Sequence, residues 1–177
     1  MPRITQTNRF ENVHSSSIDG FFHSFTIGRI LKRIGACKTK GVPAVDIFRK
    51  LFSLAFCHRT LFTALNTGDS VGPAKDVFYR LINSVRINWM RFTTLLAALI
   101  VNDRIVELTD EKRINVFIVD DTPYERTRSK TVELLSWVYD HSKKAYTKGF
   151  RLLTLGWSDG NTFMPVNSCL LSSSEGR

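Results

Sequence analysis

Cysteine is scarce in this sequence. The 177 residues contain 3 Cys, and these stand far apart at Cys37, Cys57 and Cys169 without a Cys-x-x-Cys pair. An odd, sparse set suits a reducing compartment and excludes a disulfide framework. Cys57 and its neighbour His58 have no second ligand pair at zinc-site spacing, which argues against a structural zinc.

Long apolar runs are also missing. No stretch reaches the length of about 18 apolar residues that a membrane span requires, and the N-terminal segment lacks the charged-then-apolar layout of a signal peptide. We therefore expect a soluble, intracellular protein with no membrane partner. The hydrophobic fraction of 43% and the 13 Phe predict a real core, either of one domain or of a small helical domain plus part of a second.

Acidic residues are too few to balance the basic ones, and the formal net charge is +9. The segment 1–113 carries 17 Lys and Arg against 9 Asp and Glu, a net +8, whereas the segment 114–177 carries 8 against 7, a net +1. A basic excess favours a polyanionic partner such as nucleic acid, because each cation placed on a phosphate releases condensed counterions. Alternatively, the basic residues form an ordinary solvent-exposed surface that binds no nucleic acid.

Hydrophobic periodicity predicts helices in the first two thirds of the chain. We expect a flexible tail over 1–17, a helix over 20–34 that Asp19 caps and Gly35 ends, and further helical structure from Ala44 to Leu65. The aromatic residues of these helices are interpreted as core. The whole of 18–110 is predicted to be a helical, basic, DNA-binding region.

A pair of helices is predicted next, over 76–83 and from about 89 to 105, with a short polar connection. Four cations lie around it: Lys75, Arg80, Arg86 and Arg91. The pair is compatible with a helix-turn-helix, in which these cations contact DNA, and equally with simple helical packing.

The apolar run 116–119 predicts a strand that is buried on both faces in a mixed sheet packed by helices. It ends in Asp120, Asp121 and a Thr-Pro turn signal. Since successive side chains of a strand point to opposite faces, one carboxylate is expected to be functional and the other supportive. The simpler alternative is that both acids only begin a turn.

Beyond this strand, Arg126, Arg128 and Lys130 form a basic cluster. A short helix or an irregular crossing is expected over 131–137. Two strands, over 146–155 and 162–171, follow and are joined by a hairpin turn at 158–161.

The stretch VFIVDDTPYERTRSKTVELLSWVYDHSKKAYTKGFRLLTLGWSDGNTFMPVNSCLLSSS resembles the start of the catalytic domain of bacterial insertion-sequence transposases of the Asp-Asp-Glu (DDE) type, in the insertion-sequence-four group. The preceding KDVFYRLINSVRINW resembles the helical lead-in of those proteins, so that the resemblance covers about residues 75 to 174. It implies an α+β chain whose part 111–177 opens a ribonuclease-H-like fold.

The resemblance also implies a chemistry. DDE transposases cut and join DNA with two divalent metals, Mg²⁺ or Mn²⁺, held by acids from distant strands. The first acid of the family matches Asp121, the metal ligand we assign, with Asp120 as the alternative. Arg126, Lys143 and Lys144 are candidate phosphate contacts, or else parts of a solvated basic face.

The second Asp and the Glu of the family pattern are not found in their expected contexts. Asp159 lies in a hairpin turn, a poor place for the second acid, while Asp140 and Glu133 lie between strands. We therefore expect an N-terminal portion of a transposase, from a truncated or frameshifted gene or a partial sequence, that is inactive alone.

Two functions remain open for such a chain. The first is a transposase portion that binds double-stranded transposon ends and target DNA at the nucleoid, in the bacterial cytoplasm. The second is a non-enzymatic module that binds DNA, or dimerises with itself or with full-length transposase, and so represses transposition. An unrelated basic helical protein is a third, remote interpretation.

Overall fold

The computed structural model describes residues 16–38, 40–57, 59–66, 72–110 and 112–171. The chain forms two compact units that divide between Phe92 and Thr93. Residues 1–15 of the predicted tail lie outside the described residues, while residues 16 and 17 are helical. The polar segment from 172 onward also lies outside the described residues.

The first unit is helical. Its elements are α1 (16–24), α2 (Ile27–Arg33), α3 (Ala44–Phe56), α4 (Leu61–Asn66), α5 (Lys75–Ile82) and the beginning of α6 (Trp89–Ile100). The predicted helices after residue 44 are thereby confirmed. After α6 the chain continues through a wider π-helical turn at Val101–Ile105 and a 3₁₀ turn at Val106–Leu108.

Aromatic packing fills the core of the helical unit. The rings of Phe21 and Phe52 stack with centroids 5.3 Å apart, and those of Phe48 and Phe92 meet edge to face at 5.0 Å. Ile27 and Ile47 are completely buried nearby in the same unit. The interpretation of the aromatic residues as core is confirmed for these four rings, but it is wrong for Phe56 and Phe62, which are 48% and 63% exposed.

The predicted single helix over 20–34 is wrong in one respect, because two helices occupy the region. Thr26 adopts a left-handed conformation with φ 46°, which interrupts the backbone between α1 and α2. Asp19 does not cap a helix but lies within α1, where its carboxylate pairs with Arg49 at 3.2 Å. Gly35 does end the second helix, with φ +94°.

The second unit carries the sheet. Its strands are β1 (Val116–Glu125), β2 (Ser136–Asp140), β3 (Ala145–Ser158) and β4 (Phe163–Leu171). All described strand pairs are antiparallel: β1 lies along one side of the long β3, and β2 and β4 follow one another along its other side. The α+β class is confirmed, but the expected mixed sheet is replaced among the described residues by an antiparallel one.

The expected burial of β1 is also wrong. Every residue of this strand except Pro123 is exposed, with Phe117 at 72% and Val119 at 64% of full exposure. The physical reason is that β1 is an edge strand of the described sheet, paired only with β3. Its apolar sequence is typical of a strand that is covered on both faces, but the described residues leave it exposed.

The segment 131–137 is irregular only in its first part, and it leads into β2, a strand that the sequence did not predict. The predicted hairpin is confirmed, since β3 and β4 pair antiparallel across the expected turn. None of the described helices has the length and apolarity that crossing a membrane would need.

Candidate functional site

Asp120 and Asp121 lie on opposite faces of β1. Asp121 stands opposite Leu153 of β3, and Asp120 stands opposite Thr154. Because neighbouring residues of a strand alternate in direction, the two carboxylates cannot bind one ion together without a bend in the strand. The strand runs unbroken through both residues.

Asp120 is engaged within its own strand. Its Oδ2 accepts a hydrogen bond from the Thr122 hydroxyl at 2.7 Å, and residues 120 and 122 share one face because they are two apart. This contact is local and exposed, so it orients the carboxylate without burying it.

Asp121 instead faces a cation from the neighbouring strand. Arg151 Nη2 lies 2.9 Å from Asp121 Oδ2, while the two side chains keep 48% and 35% of their exposure. Arg151 stands opposite Pro123, so the ion pair runs diagonally across the two strands on one face. The carboxylate is therefore accessible to solvent and already holds a positive group.

The chemistry of Asp121 fits one ligand of a hard cation, since Mg²⁺ prefers carboxylate oxygens. A complete metal centre needs more acids than this. Within the described part of the chain, no group of three or more His, Cys, Asp or Glu side chains is placed to hold a metal ion. The described residues thus supply a single candidate ligand, and they do not by themselves assemble a two-metal site.

Asp159 is occupied by structural contacts. It is only 2% exposed, and its Oδ2 accepts from Arg113 Nη1 at 3.1 Å. Its Oδ1 accepts from the backbone N–H groups of Thr162 and Asn161 at 2.6 and 3.0 Å. Chiefly the Thr162 hydrogen bond, helped by the Asn161 and Arg113 contacts, lowers the pKa of Asp159 below its ordinary value. This carboxylate holds the turn between β3 and β4.

Lys143 lies among acids. Its Nζ contacts the Glu125 carboxylate and stands 3.9 Å from Asp140 Oδ2. The hydrogen bond to Glu125 is the largest cause of the raised pKa of Lys143. Asp140 in turn accepts the backbone N–H groups of Ser142 and Lys143, which fixes the turn after β2. A phosphate contact by Lys143 would have to compete with Glu125.

The other two candidate cations of the sheet, Arg126 and Lys144, are exposed. The Arg126 guanidinium lies 5.1 Å from the centre of the Tyr124 ring, a cation–π contact, and Lys144 is exposed in the turn after β2 with φ 50°. Arg126 directly follows β1 and Lys144 lies in a different turn, so each is placed by its own local structure.

Arg80, Arg86 and Arg91 belong to the helical unit and are all exposed. Arg80 lies on α5, where its Nε donates to the carbonyl of Asp76 at 3.3 Å. Arg86 lies in the connection, and Arg91 lies in the first turn of α6, where its N–H is capped by Asn88 Oδ1 at 2.9 Å. The three cations are thus grouped along one helix–connection–helix segment.

Sequence reasoning missed Arg151 and Arg113 as partners of the acids. Each pairs with an acid far along the chain, Arg151 with Asp121 and Arg113 with Asp159. The sequence placed Arg151 in a strand that was predicted to pair within the sheet. Without the register of that pairing, it does not show which acid Arg151 faces.

Comparison with known proteins identifies the family of the chain. A family model described as DDE superfamily endonuclease matches residues 61–175, which include α4 to α6 and the whole sheet. No curated protein and no solved structure matches. The matched region covers more than half of the chain, and it contains the strand that carries Asp121. The chain belongs to the DDE superfamily endonuclease family.

Proposed function

We propose that this chain acts in DNA transposition as part of a DDE transposase of the insertion-sequence-four group, in the bacterial cytoplasm at the nucleoid. In this proposal it binds double-stranded DNA at transposon ends and supplies Asp121 as the first metal ligand. The observation that carries the proposal is the family match over the strand on which the Asp121 carboxylate stands open to solvent.

Asp121 is preferred over Asp120 because of what each carboxylate contacts. Asp120 accepts a hydrogen bond from its own strand, whereas Asp121 holds a cation from a neighbouring strand. The position that attracts a guanidinium to this carboxylate can attract Mg²⁺ or Mn²⁺ in the same way.

DDE superfamily nucleases generally use divalent metal ions. Two bound ions would activate the attacking water or 3′-hydroxyl and stabilise the leaving oxygen. Asp121 would orient one of them. The remaining ligands would have to come from outside the described residues, because the described residues contain no cluster of three donors.

The DNA-binding part of the proposal rests on charge. The segment 1–113 carries a net +8 from 17 basic and 9 acidic residues, and the exposed Arg80, Arg86 and Arg91 lie on one continuous stretch of it. Exposed cations on a helix–connection–helix segment suit phosphate contacts, since each contact releases counterions.

The test is fluorescence anisotropy of a labelled duplex with the full 177-residue chain at several salt concentrations. We expect affinity to fall steeply with salt. Replacing Arg80, Arg86 and Arg91 together by Gln should weaken binding and reduce the salt slope by about one for each phosphate interaction that the substitutions abolish. The matched control replaces Arg29, Lys32 and Arg33 of α2 by Gln, which removes the same charge elsewhere in the helical unit.

Binding that is independent of salt would contradict the DNA proposal. Equal reductions of affinity in the two triple variants would show diffuse attraction and overturn the assignment of the α5–α6 cations. A reduction confined to the first variant would support it.

A second candidate function, a dimerising module that represses transposition, is favoured by the open edge of β1. The Arg126 N–H donates to the Lys148 carbonyl, so in this antiparallel register the even-numbered residues of β1 bond to β3. The odd-numbered residues turn their backbone groups outward, where no described strand pairs with them. Such an edge is a template for another strand.

Pro123 restricts which residues of this edge can pair with another strand. It holds an outward position and has no N–H, so pairing is confined to the residues before it, around Val119. An antiparallel second copy centred on Val119 would place Asp121 opposite Phe117 and would not place acid opposite acid. A second copy of the chain, or the same strand in a full-length transposase, is therefore the proposed occupant.

A further inference from the structure

We propose that one face of the sheet is a platform on which unpaired DNA bases stack. Four exposed aromatic side chains form this aromatic face: Tyr124, Trp137, Tyr139 and Tyr146. The inference rests on the proposed DNA-binding role of the chain, and it names a form of the substrate, single-stranded DNA.

The strand register places the four rings on the same face. Tyr139 of β2 stands opposite Tyr146 of β3, and their ring centroids are 5.1 Å apart in an edge-to-face contact. Trp137 lies two residues before Tyr139 and therefore points the same way. Tyr124 of β1 stands opposite Phe150, which lies four residues beyond Tyr146 on β3. The aromatic face thus runs from β1 across β3 to β2.

The rings of the aromatic face are open to solvent. Trp137 and Tyr146 keep 67% and 68% of full exposure, although the burial of such large rings is favourable. The residues of β2 that alternate with these rings, Val138 and Asp140, are buried. Strand β2 is therefore packed on one side and exposes its aromatic residues on the other, as expected of an interaction surface.

Cations lie among the rings. The Arg126 guanidinium is 5.1 Å from the centre of the Tyr124 ring, and its Nη2 donates to the Tyr124 hydroxyl at 3.3 Å. Lys148 stands opposite Trp137 and so shares its face. Rings that stack on bases and cations that contact phosphates are the two components of a surface for single strands. A duplex keeps the faces of its bases stacked inside, so such a surface favours unpaired nucleotides.

The acids of the described strands lie away from the rings. Glu125, the neighbour of Tyr124, points to the opposite face and contacts Lys143 Nζ. Asp140 is buried on that opposite side as well. Asp120 shares the side of the rings but precedes Tyr124 by four residues, or about 14 Å along the strand. This separation of charge favours a polyanion as the occupant of the aromatic face.

The experiment measures binding of the full chain by fluorescence anisotropy with three labelled ligands of equal length. These are a strand of dT nucleotides, an abasic strand with the same phosphates, and a duplex. Wild type is compared with Trp137→Ala, Tyr146→Ala and Phe117→Ala. Phe117 is 72% exposed but lies on the opposite face of β1 from Tyr124, so its variant is the matched control for loss of an exposed ring.

We expect wild type and Phe117→Ala to bind the dT strand more tightly than the abasic strand, by about five-fold or more for each stacked base. Trp137→Ala and Tyr146→Ala should each lose about five-fold or more in affinity for the dT strand and keep their affinity for the abasic strand. Equal affinities of wild type for the two strands overturn the inference, and so does an equal loss in Phe117→Ala.

Tryptophan fluorescence provides a second test that does not depend on the alanine variants. Of the 3 Trp in the chain, Trp137 is the exposed one, whereas Trp157 is buried and Trp89 is half-buried. A base that stacks on Trp137 should quench the emission of wild type. Trp137→Phe keeps a ring, so it should still prefer the dT strand but show no such quenching. Quenching that is absent in wild type, or unchanged in Trp137→Phe, overturns the inference.

The duplex separates this inference from the DNA proposal on which it rests. If wild type binds the duplex in a salt-dependent way and shows no preference for dT over the abasic strand, only the stacking platform is wrong. If wild type binds none of the three ligands, both proposals fail. Tighter binding of an RNA strand of equal length would overturn DNA as the ligand. Self-association that is lost in Trp137→Ala, with DNA affinity unchanged, would assign the aromatic face to a second copy of the chain instead.

Discussion

Arg113 Nη1 lies 3.1 Å from Asp159 Oδ2, and this pair joins the segment that leads into β1 to the turn that follows β3. The carboxylate is 1% exposed and the guanidinium 32% exposed. Because the two residues flank strands that pair with each other, the contact holds the start of β1 beside the end of β3. The position of Asp121 on the sheet depends on that pairing.

Asp159→Asn should destabilise the fold in a pH-dependent way. The folded pKa of Asp159 is lowered, so its stabilising contribution is fully present above the unfolded pKa of about 3.9 and is lost as pH falls through the folded pKa. The difference in unfolding free energy between wild type and variant should be largest near neutral pH and shrink in acid. Denaturant unfolding from acid to neutral pH measures it, with Asp103→Asn, at an exposed site, as the control.

Gly149→Ala should loosen β1 from β3. A Cβ atom at residue 149 would overlap the backbone carbonyl of Tyr124, and backbone cannot give way as a flexible side chain can. We expect a loss of about 1–3 kcal/mol in unfolding free energy. Gly20→Ala is the control, since a Cβ there meets nothing within 4 Å in helix α1, and it should be neutral or stabilising by up to about 1 kcal/mol. Equal stability of the two variants would contradict the close approach of β1 and β3.

Val119→Lys should weaken self-association through the edge of β1. Val119 is 64% exposed, so a lysine there costs the isolated chain little, but two lysines would meet at the centre of the proposed pairing. Analytical ultracentrifugation of wild type and variant gives the dissociation constants. Val85→Lys, at a 99% exposed position of the helical unit, is the matched control. A dissociation constant unchanged by Val119→Lys would exclude the edge as the interface.

The purified 177-residue chain should neither cleave DNA nor transfer strands in Mg²⁺ or Mn²⁺. The described residues bring no group of three metal-binding side chains together, and one carboxylate does not hold two ions in a productive geometry. Incubation with supercoiled plasmid detects single nicks. Nicking that requires metal and is lost in Asp121→Asn would show that a complete site forms after all.

The sequence predicted those features that depend on local interactions. Helices α3, α5 and α6 follow from apolar spacing, and the turn at Asp159 and Gly160 follows from residue types that favour hairpins. Gly35 was recognised as a helix end for the same reason, since its positive φ suits glycine.

Features that depend on distant partners were missed. Thr26 breaks the first helical region although threonine rarely adopts its left-handed conformation. Strand β2 pairs with the first part of β3, which β4 leaves unpaired on that side of the sheet. The pair of Asp121 with Arg151 depends on strand register, which a single strand sequence does not determine. For the same reason the sequence left both Asp120 and Asp121 open as metal ligands.

The choice of Asp121 over Asp120 is the central claim, and site-directed oxidative cleavage tests it most directly. Fe²⁺ replaces the divalent ion, and ascorbate with peroxide then generates radicals that cut the backbone beside the bound metal. We predict fragments ending near Asp121 in β1 and near Leu153, its partner in β3, that persist in Asp120→Asn and vanish in Asp121→Asn. Fragments that vanish in Asp120→Asn but persist in Asp121→Asn would contradict the assignment and move the metal to the other face of the sheet.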